Sequence, residues 1–202
     1  MVIYKIKKRL RRIFKRVTLL ITILSHSKPL KIILGGGNTN YTGWINTDYP
    51  IFNITLSAHW YLYFLFRKAD FFLAEHVLEH LTYEEVRKTL KLSNQFLKFG
   101  GSFRVAVPDG FNPSNEYIDA VKPGGWEEGA DDHKILWNYE RLSEVAKEVG
   151  FQITLLEYYN ENGKFICRSF NNKEGYIIRS KNNNYLDKNV PNYSSLIVDF
   201  FK

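Results

Sequence analysis

Leu30-Lys31-Ile32-Ile33-Leu34-Gly35-Gly36-Gly37, whose Leu34 is separated by nine residues from the start of a second run, Trp44-Ile45-Asn46-Thr47-Asp48, is the stretch whose reading decides the fold. A short apolar run reads as a strand covered on both faces, as in a parallel sheet. Glycines directly after such a strand let the backbone turn and pass close to a ligand. An acid at the end of the next strand can accept hydrogen bonds from a ribose diol. Gly35, Gly36, Gly37 and Asp48 are therefore the first candidate binding residues. Nine residues are fewer than the dozen or so that a helical crossover between parallel strands needs, so the first helix is expected to shrink to a turn.

Further along, short apolar runs continue to alternate with helical stretches, the layout of an α/β domain. Asp70 to Ala74 reads as a strand, and helix is expected to follow as far as Leu97, with Val86, Leu90 and Leu97 on one face and Gly100-Gly101 as its stop. Phe103 to Val107 reads as a strand ended by Pro108-Asp109. Residues Asp109 to Lys134 read as a long binding loop rich in glycine, proline and acids. A helix with Leu142, Val145, Ala146 and Val149 on one face, a strand over Phe151–Leu156, irregular surface from Asn171 to Asn189 and a last strand over Ser195–Phe200 complete the pattern.

The segments Leu34-Gly35-Gly36-Gly37, Gly43-Trp44-Ile45-Asn46-Thr47-Asp48, Ala74-Glu75-His76-Val77-Leu78-Glu79-His80-Leu81, Leu97-Lys98-Phe99-Gly100-Gly101 and Val105-Ala106-Val107-Pro108-Asp109 resemble, in this order, class I S-adenosylmethionine-dependent methyltransferases. The likeness is greatest to the type 11-like branch associated with bacterial surface polysaccharides, and it spans about residues 30–200. It implies a Rossmann-like α/β sheet of seven strands, mostly parallel with the last strand antiparallel, and S-adenosylmethionine held over the carboxyl ends of the first strands. Gly35, Gly36 and Gly37 would pass beneath the methionine and ribose, Asp48 would hold the ribose hydroxyls, and Glu75 and His76 would line the other side. An acid usual two residues before the first glycine is replaced by Ile33, and the aromatic stretch His59 to Phe66 stands where a third strand ending in an acid would be. The acceptor would be a small molecule or a glycan, such as a lipid-linked sugar. A second reading keeps the fold without catalysis, as a binding module at the membrane surface.

Methyl transfer needs an acceptor held in line with the methyl group at about 3–3.5 Å and a group that can take a proton. Asp109, Asp132 and His133, where the strand edge meets the long loop, are the catalytic candidates. Their bland alternatives are a turn cap for Asp109 and a solvated helix start for Asp132 and His133. His76-Val77-Leu78-Glu79-His80 also spells H-x-x-E-H, a metalloprotease pattern in which two histidines one helical turn apart bind zinc. Its place at a strand-to-helix junction argues for hydrogen-bonded histidines, and no metal is expected.

Lys5, Lys7, Lys8, Arg9, Arg11, Arg12, Lys15 and Arg16 concentrate the +7 net charge in one arm; the other 20 basic residues face 21 acidic ones. A body so balanced is not expected to bind nucleic acid. Within residues 1–27, Ile3, Ile6, Leu10, Ile13, Val17, Leu20 and Leu24 fall on one helical stripe, and residues 28–202 form the domain. That stripe either packs on the domain or, over residues 3–24, enters an anionic membrane surface. The single cysteine, Cys167, fits a reducing compartment, so a cytoplasmic protein, peripheral on the inner membrane face, is expected.

Overall fold

A computed structural model describes residues 2–183 and 195–202. In chain order these form α1 (Val2–Ser25), β1 (Lys31–Leu34), β2 (Ile45–Thr47), α2 (Ser57–Phe64), β3 (Ala69–Glu75), α3 (Tyr83–Phe96), β4 (Leu97–Val107), α4 (Asn115–Val121), α5 (Tyr139–Glu148), β5 (Gln152–Tyr159), β6 (Phe165–Cys167) and β7 (Leu196–Phe201). The strands make one seven-stranded sheet in the order β2-β1-β3-β4-β7-β5-β6. Pairs among β1 to β4 are parallel, and β7 runs antiparallel to both neighbours. The fold is thus the expected α/β, Rossmann-like sheet.

Two details depart from the expectation. No strand lies between β2 and β3; the aromatic stretch there coils instead into α2, burying His59, Trp60, Tyr63 and Phe64. The count of seven is reached at the opposite edge, where β6 folds back on β5 as a hairpin. The first crossover is reduced as the nine-residue spacing requires, residues 35–44 forming only turns.

Gly100-Gly101 does not stop a helix. Helix α3 ends at Phe96 and Leu97 already pairs with Ala69, after which the register jumps to Phe71 with Ser102, so that Lys98 to Gly101 bulge out of β4. Gly100 sits at φ +75°, and a Cβ on Gly101 would lie 2.6 Å from the Asp70 carbonyl oxygen, so the bulge needs glycine at both places. The start of α3 is fixed by Thr82, whose hydroxyl accepts from Glu85 N while Glu85 reaches back to Thr82 N.

Each sheet face buries alternate residues. Ile32, Leu34, Phe72, Ala74, Phe103, Val105, Val198 and Phe200 turn to the face covered by α2, α3 and α5 and form the main core. Ile33, Leu73, Ala106 and Ile197 turn to the other, where Tyr41, Trp44, Phe170 and Ile177 cover them and, among the described residues, no α-helix does. The segment 168–183 therefore takes the layer that the shortened first crossover leaves uncovered. Its last expected residues, Asn184 to Asn189, lie outside the described residues.

Helix α1 docks mainly by its last turns: Leu19, Leu20 and Ile23 join the main core, Arg67 Nη1 donates to Ile23 O and Leu24 O, both at 2.8 Å, and Arg16 Nη2 donates to Pro50 O at 3.3 Å. Of the two alternatives for the stripe, packing on the domain is not what most of it does: Ile6, Leu10, Ile13, Val17 and Leu24 are all exposed.

Candidate functional site

In parallel strands every carboxyl end points to one edge, and the chain delivers its candidate residues there. Gly35 (φ +65°) follows β1. A Cβ on Gly35 would meet both Val77 methyls at 2.9 Å, and one on Gly36 would meet Ile33 Cγ2 at 2.6 Å and collide with Asn46 Oδ1. Asn46 Nδ2 donates to Gly37 O and Thr39 O, each at 2.8 Å, and so ties the turn to β2. Around Gly37 a Cβ would meet nothing within 4 Å, so that side of the turn is open. Asp48, just past β2, is exposed and accepts from Tyr49 N at 2.7 Å through Oδ1. Gly37, Asn46, Asp48, Tyr49 and Pro50 line a cavity of about 1180 Å³ whose far wall is α1, with Lys8, Arg11, Phe14 and Lys15.

Ile33 pairs with Leu73, so two residues further on Gly35 and Glu75 stand side by side at the edge. Glu75 Oε1 accepts from Arg179 N at 3.0 Å. The nearby Tyr41 phenol is held above its ordinary pKa, first by burial and then by the Glu75 carboxylate. His76 has φ +54°, the only described non-glycine residue in the left-handed region, and its N donates to Ala106 O at 2.9 Å. Such backbone strain in a bulky residue is characteristic of functional edges. His76 Nε2 lies 3.0 Å from Ser195 Oγ, and Nδ1 lies 3.0 Å from Glu79 Oε1.

Asp109 belongs to the edge but not to its surface. It is fully buried, Oδ2 accepting from Tyr159 N at 2.7 Å and Oδ1 from Phe111 N at 3.0 Å. Burial pushes its carboxyl up to about 6, against the two backbone donors that pull it down. This is the turn-capping alternative, extended to hold β5, and both its oxygens are engaged. Asp132 is exposed, 3.1 Å from Lys134 Nζ and 3.6 Å from His80 Nδ1, and the Lys134 hydrogen bond holds its carboxyl below the usual range. His133 Nδ1 lies 2.7 Å from Val121 O. The loop that carries these residues is not featureless, since α4 runs through it and Asp132 closes a single 3-10 turn, Ala130–Asp132.

The edge thus holds two groupings. Gly37, at the end of the glycine turn, and Asp48 border the cavity; His76 with Ser195 and Glu79, and His80 with His133 and Asp132, form a cluster beyond Val77. The two motif histidines do not share a face, because Leu78–His80 is a 3-10 turn rather than an α-helix and His76 lies outside it. Ser195 and the pairing of His80 with His133 were invisible to spacing, each joining residues more than fifty positions apart.

No family model matches the sequence, and no curated protein matches it. Among solved structures, 99% of the chain aligns with 98% of a SAM dependent methyltransferase from Archaeoglobus fulgidus, at 14% identity and TM-score 0.47. All of it aligns with 96% of a SAM-dependent methyltransferase, possible histamine N-methyltransferase, from Thermotoga maritima, at 11% identity and TM-score 0.46. A CurJ carbon methyltransferase aligns over 88% of this chain and 50% of its own, at 16% identity and TM-score 0.46. The assignment of the fold rests on the strand order itself.

Proposed function

We propose that the protein is an S-adenosylmethionine-dependent methyltransferase acting on a small-molecule or glycan acceptor. The observation that carries this reading is the exposed Asp48 carboxylate at the end of β2, facing the same cavity as the open side of Gly37. A carboxylate there can accept from two vicinal hydroxyls, and the cavity volume is ample for a nucleoside-sized ligand. When bound, S-adenosylmethionine supplies a methyl group already activated on a sulfonium. Asp48 would hold its ribose and Gly35 to Gly37 its backbone-near side. Ile33 offers no carboxylate to its ammonium, and Glu75, beside Gly35 in the register, is the acid in place to do so. His76, hydrogen-bonded to Ser195, would orient the acceptor and take its proton, with His133 and Asp132 held beside it by the long loop and Asp109 holding that loop from within.

The test is calorimetric titration with S-adenosylhomocysteine. Binding should be measurable, and Asp48→Ala should weaken it roughly ten- to a hundredfold, the cost of losing a charged hydrogen-bond acceptor. No binding at millimolar ligand would replace the enzyme with the inactive binding module.

A specific observation also favours membrane contact. Ile6, Leu10, Ile13 and Val17 lie exposed on the same helix as the eight basic residues, and Leu65 and Phe66 after α2 are exposed too. Basic residues near an anionic bilayer contribute about 1 kcal/mol each while an apolar stripe enters the interface. No described helix is long and apolar enough to cross a membrane, so contact would be peripheral. Full-length protein should co-sediment with anionic vesicles and release as salt rises. Leu10→Glu with Ile13→Glu should abolish this while leaving the docked turns of α1 intact; retention by that variant would refute the reading.

A further inference from the structure

We propose that Glu79, His80 and His133 bind one divalent transition-metal ion, with Zn²⁺ the best fit. The three side chains offer ligand atoms that all lie within 4.8 Å of one another. Two imidazoles and one carboxylate suit a borderline ion such as Zn²⁺, and three protein ligands leave a fourth position for an oxygen ligand. Zinc–ligand bonds of about 2.0–2.2 Å place tetrahedral ligand atoms about 3.4 Å apart, so side-chain shifts of about 1 Å close the triad on an ion.

Three further observations point the same way. Glu79 is fully buried, yet no hydrogen bond reaches either of its carboxylate oxygens; His76 Nδ1, at 3.0 Å, lacks hydrogen-bond alignment. A buried carboxylate is costly unless a cation or donors satisfy it, and an ion at this triad would do so. His133 Nδ1 faces the Val121 carbonyl at 2.7 Å, and a carbonyl only accepts, so Nδ1 carries the proton and Nε2 keeps a lone pair for metal. His80 Nδ1 is likewise turned toward a carboxylate, Asp132 Oδ2 at 3.6 Å, and its ring stands 4.8 Å from that of His133 at 76°. Outer partners of this kind, a backbone carbonyl for one histidine and a carboxylate for the other, are what metal-bound histidines use to set their tautomer.

The site is not the H-x-x-E-H arrangement, because His76 is turned to Ser195 and its place is taken by a histidine from the long loop. An ion there would clamp the turn after β3 to the 3-10 turn at Ala130–Asp132, two segments already joined by Lys134 N donating to Glu79 O at 2.7 Å. It stands apart from the cavity beside Asp48, so it is independent of whether S-adenosylmethionine binds.

The experiment uses untagged full-length protein stripped with a chelator and titrated with Zn²⁺ by calorimetry, with elemental analysis of the reloaded protein. One equivalent should bind, and saturation at about a hundred times Kd should raise Tm by about 5–10 °C. His80→Ala and His133→Ala should each weaken binding by about 100-fold or more, beyond what loss of an outer partner usually costs, and the isosteric Glu79→Gln by at least about tenfold. His76→Asn, which keeps a residue tolerant of the left-handed backbone, and Cys167→Ser should retain one equivalent. Absence of binding at micromolar Zn²⁺, unchanged affinity in His133→Ala, or loss in His76→Asn with retention in His133→Ala would each overturn the proposal. If an alanine variant fails to fold, the wild-type titration and Glu79→Gln decide.

Discussion

The two faces of one sheet are held by different physics. Against the helical face, Trp60, Phe64, Phe72, Phe96 and Phe103 pack edge-to-face, tilted and stacked, with ring centroids 5.4–6.3 Å apart, and the buried hydroxyls of Thr89 and Ser93 bond to backbone carbonyls. Against the other face the strap 168–183 is pinned by charged and polar groups. Arg104, on β4 and fully buried, makes two 2.7 Å bonds to the Asp199 carboxylate, donates through Nη1 to Asn171 O and Gly175 O, and lies 4.4 Å from the Phe170 ring. Glu157, also fully buried, accepts from Ser180 Oγ, Lys181 N and Asn182 N. A helix satisfies its own backbone and needs only apolar contact; a strap with no more than two short 3-10 turns must find partners for its peptide groups in side chains. That difference is why this face spends buried charges where the other has none.

Arg104→Met should show the contrast at its strongest. It leaves Asp199 buried without its cation, with a loss of about 4 kcal/mol in urea unfolding, and native-state hydrogen exchange should rise first in residues 170–183. If exchange rises equally across α3 and α5, the strap is not a separately anchored layer. On the helical face Leu90→Ala should cost about 3 kcal/mol through a cavity and weaken the whole domain together rather than one segment.

Asp109 sharpens the comparison, being a buried carboxylate held by backbone donors with no cation. Its folded carboxyl, near 6, keeps a proton that the unfolded chain, near 3.8, has released, so the folded state binds more protons between those values. The stability this group contributes is therefore present below about pH 4 and lost as pH rises to about 6, an effect of about 2 kcal/mol. Urea midpoints of wild type should fall over that window relative to Asp109→Asn; parallel pH curves would sink the assignment. The smallest effect is expected at Thr82→Ala, about 1 kcal/mol from the lost cap of α3, read as a shift of thermal midpoint without change in strap exchange.

Local pattern alone located most of the framework. The runs ending at Leu34, Thr47, Ala74, Val107 and Phe200 are short and apolar, a parallel sheet demands such runs, and the nine-residue spacing ruled out the first helix by chain length. Charge counting separated a basic arm from a neutral body. Pattern failed where burial overrides propensity. Helix α2 buries one face but carries Tyr61 and Leu62 on the exposed one, so it is apolar almost all round and shows little periodicity, and β4 absorbs Gly100-Gly101 because a bulge can take residues that otherwise read as a helix stop. The face of α1 that docks, Leu19, Leu20 and Ile23, was not the longest stripe. Side-chain constellations were legible only within a turn or two of chain. Gly35 to Gly37 with Asp48, and His76 with Glu79, could be read from spacing. The meeting of His80 with His133, of His76 with Ser195, and of Arg104 with Asp199 and the strap joins segments distant in sequence; strand register brings the last together, and only the packing of loops against the sheet edge brings the others.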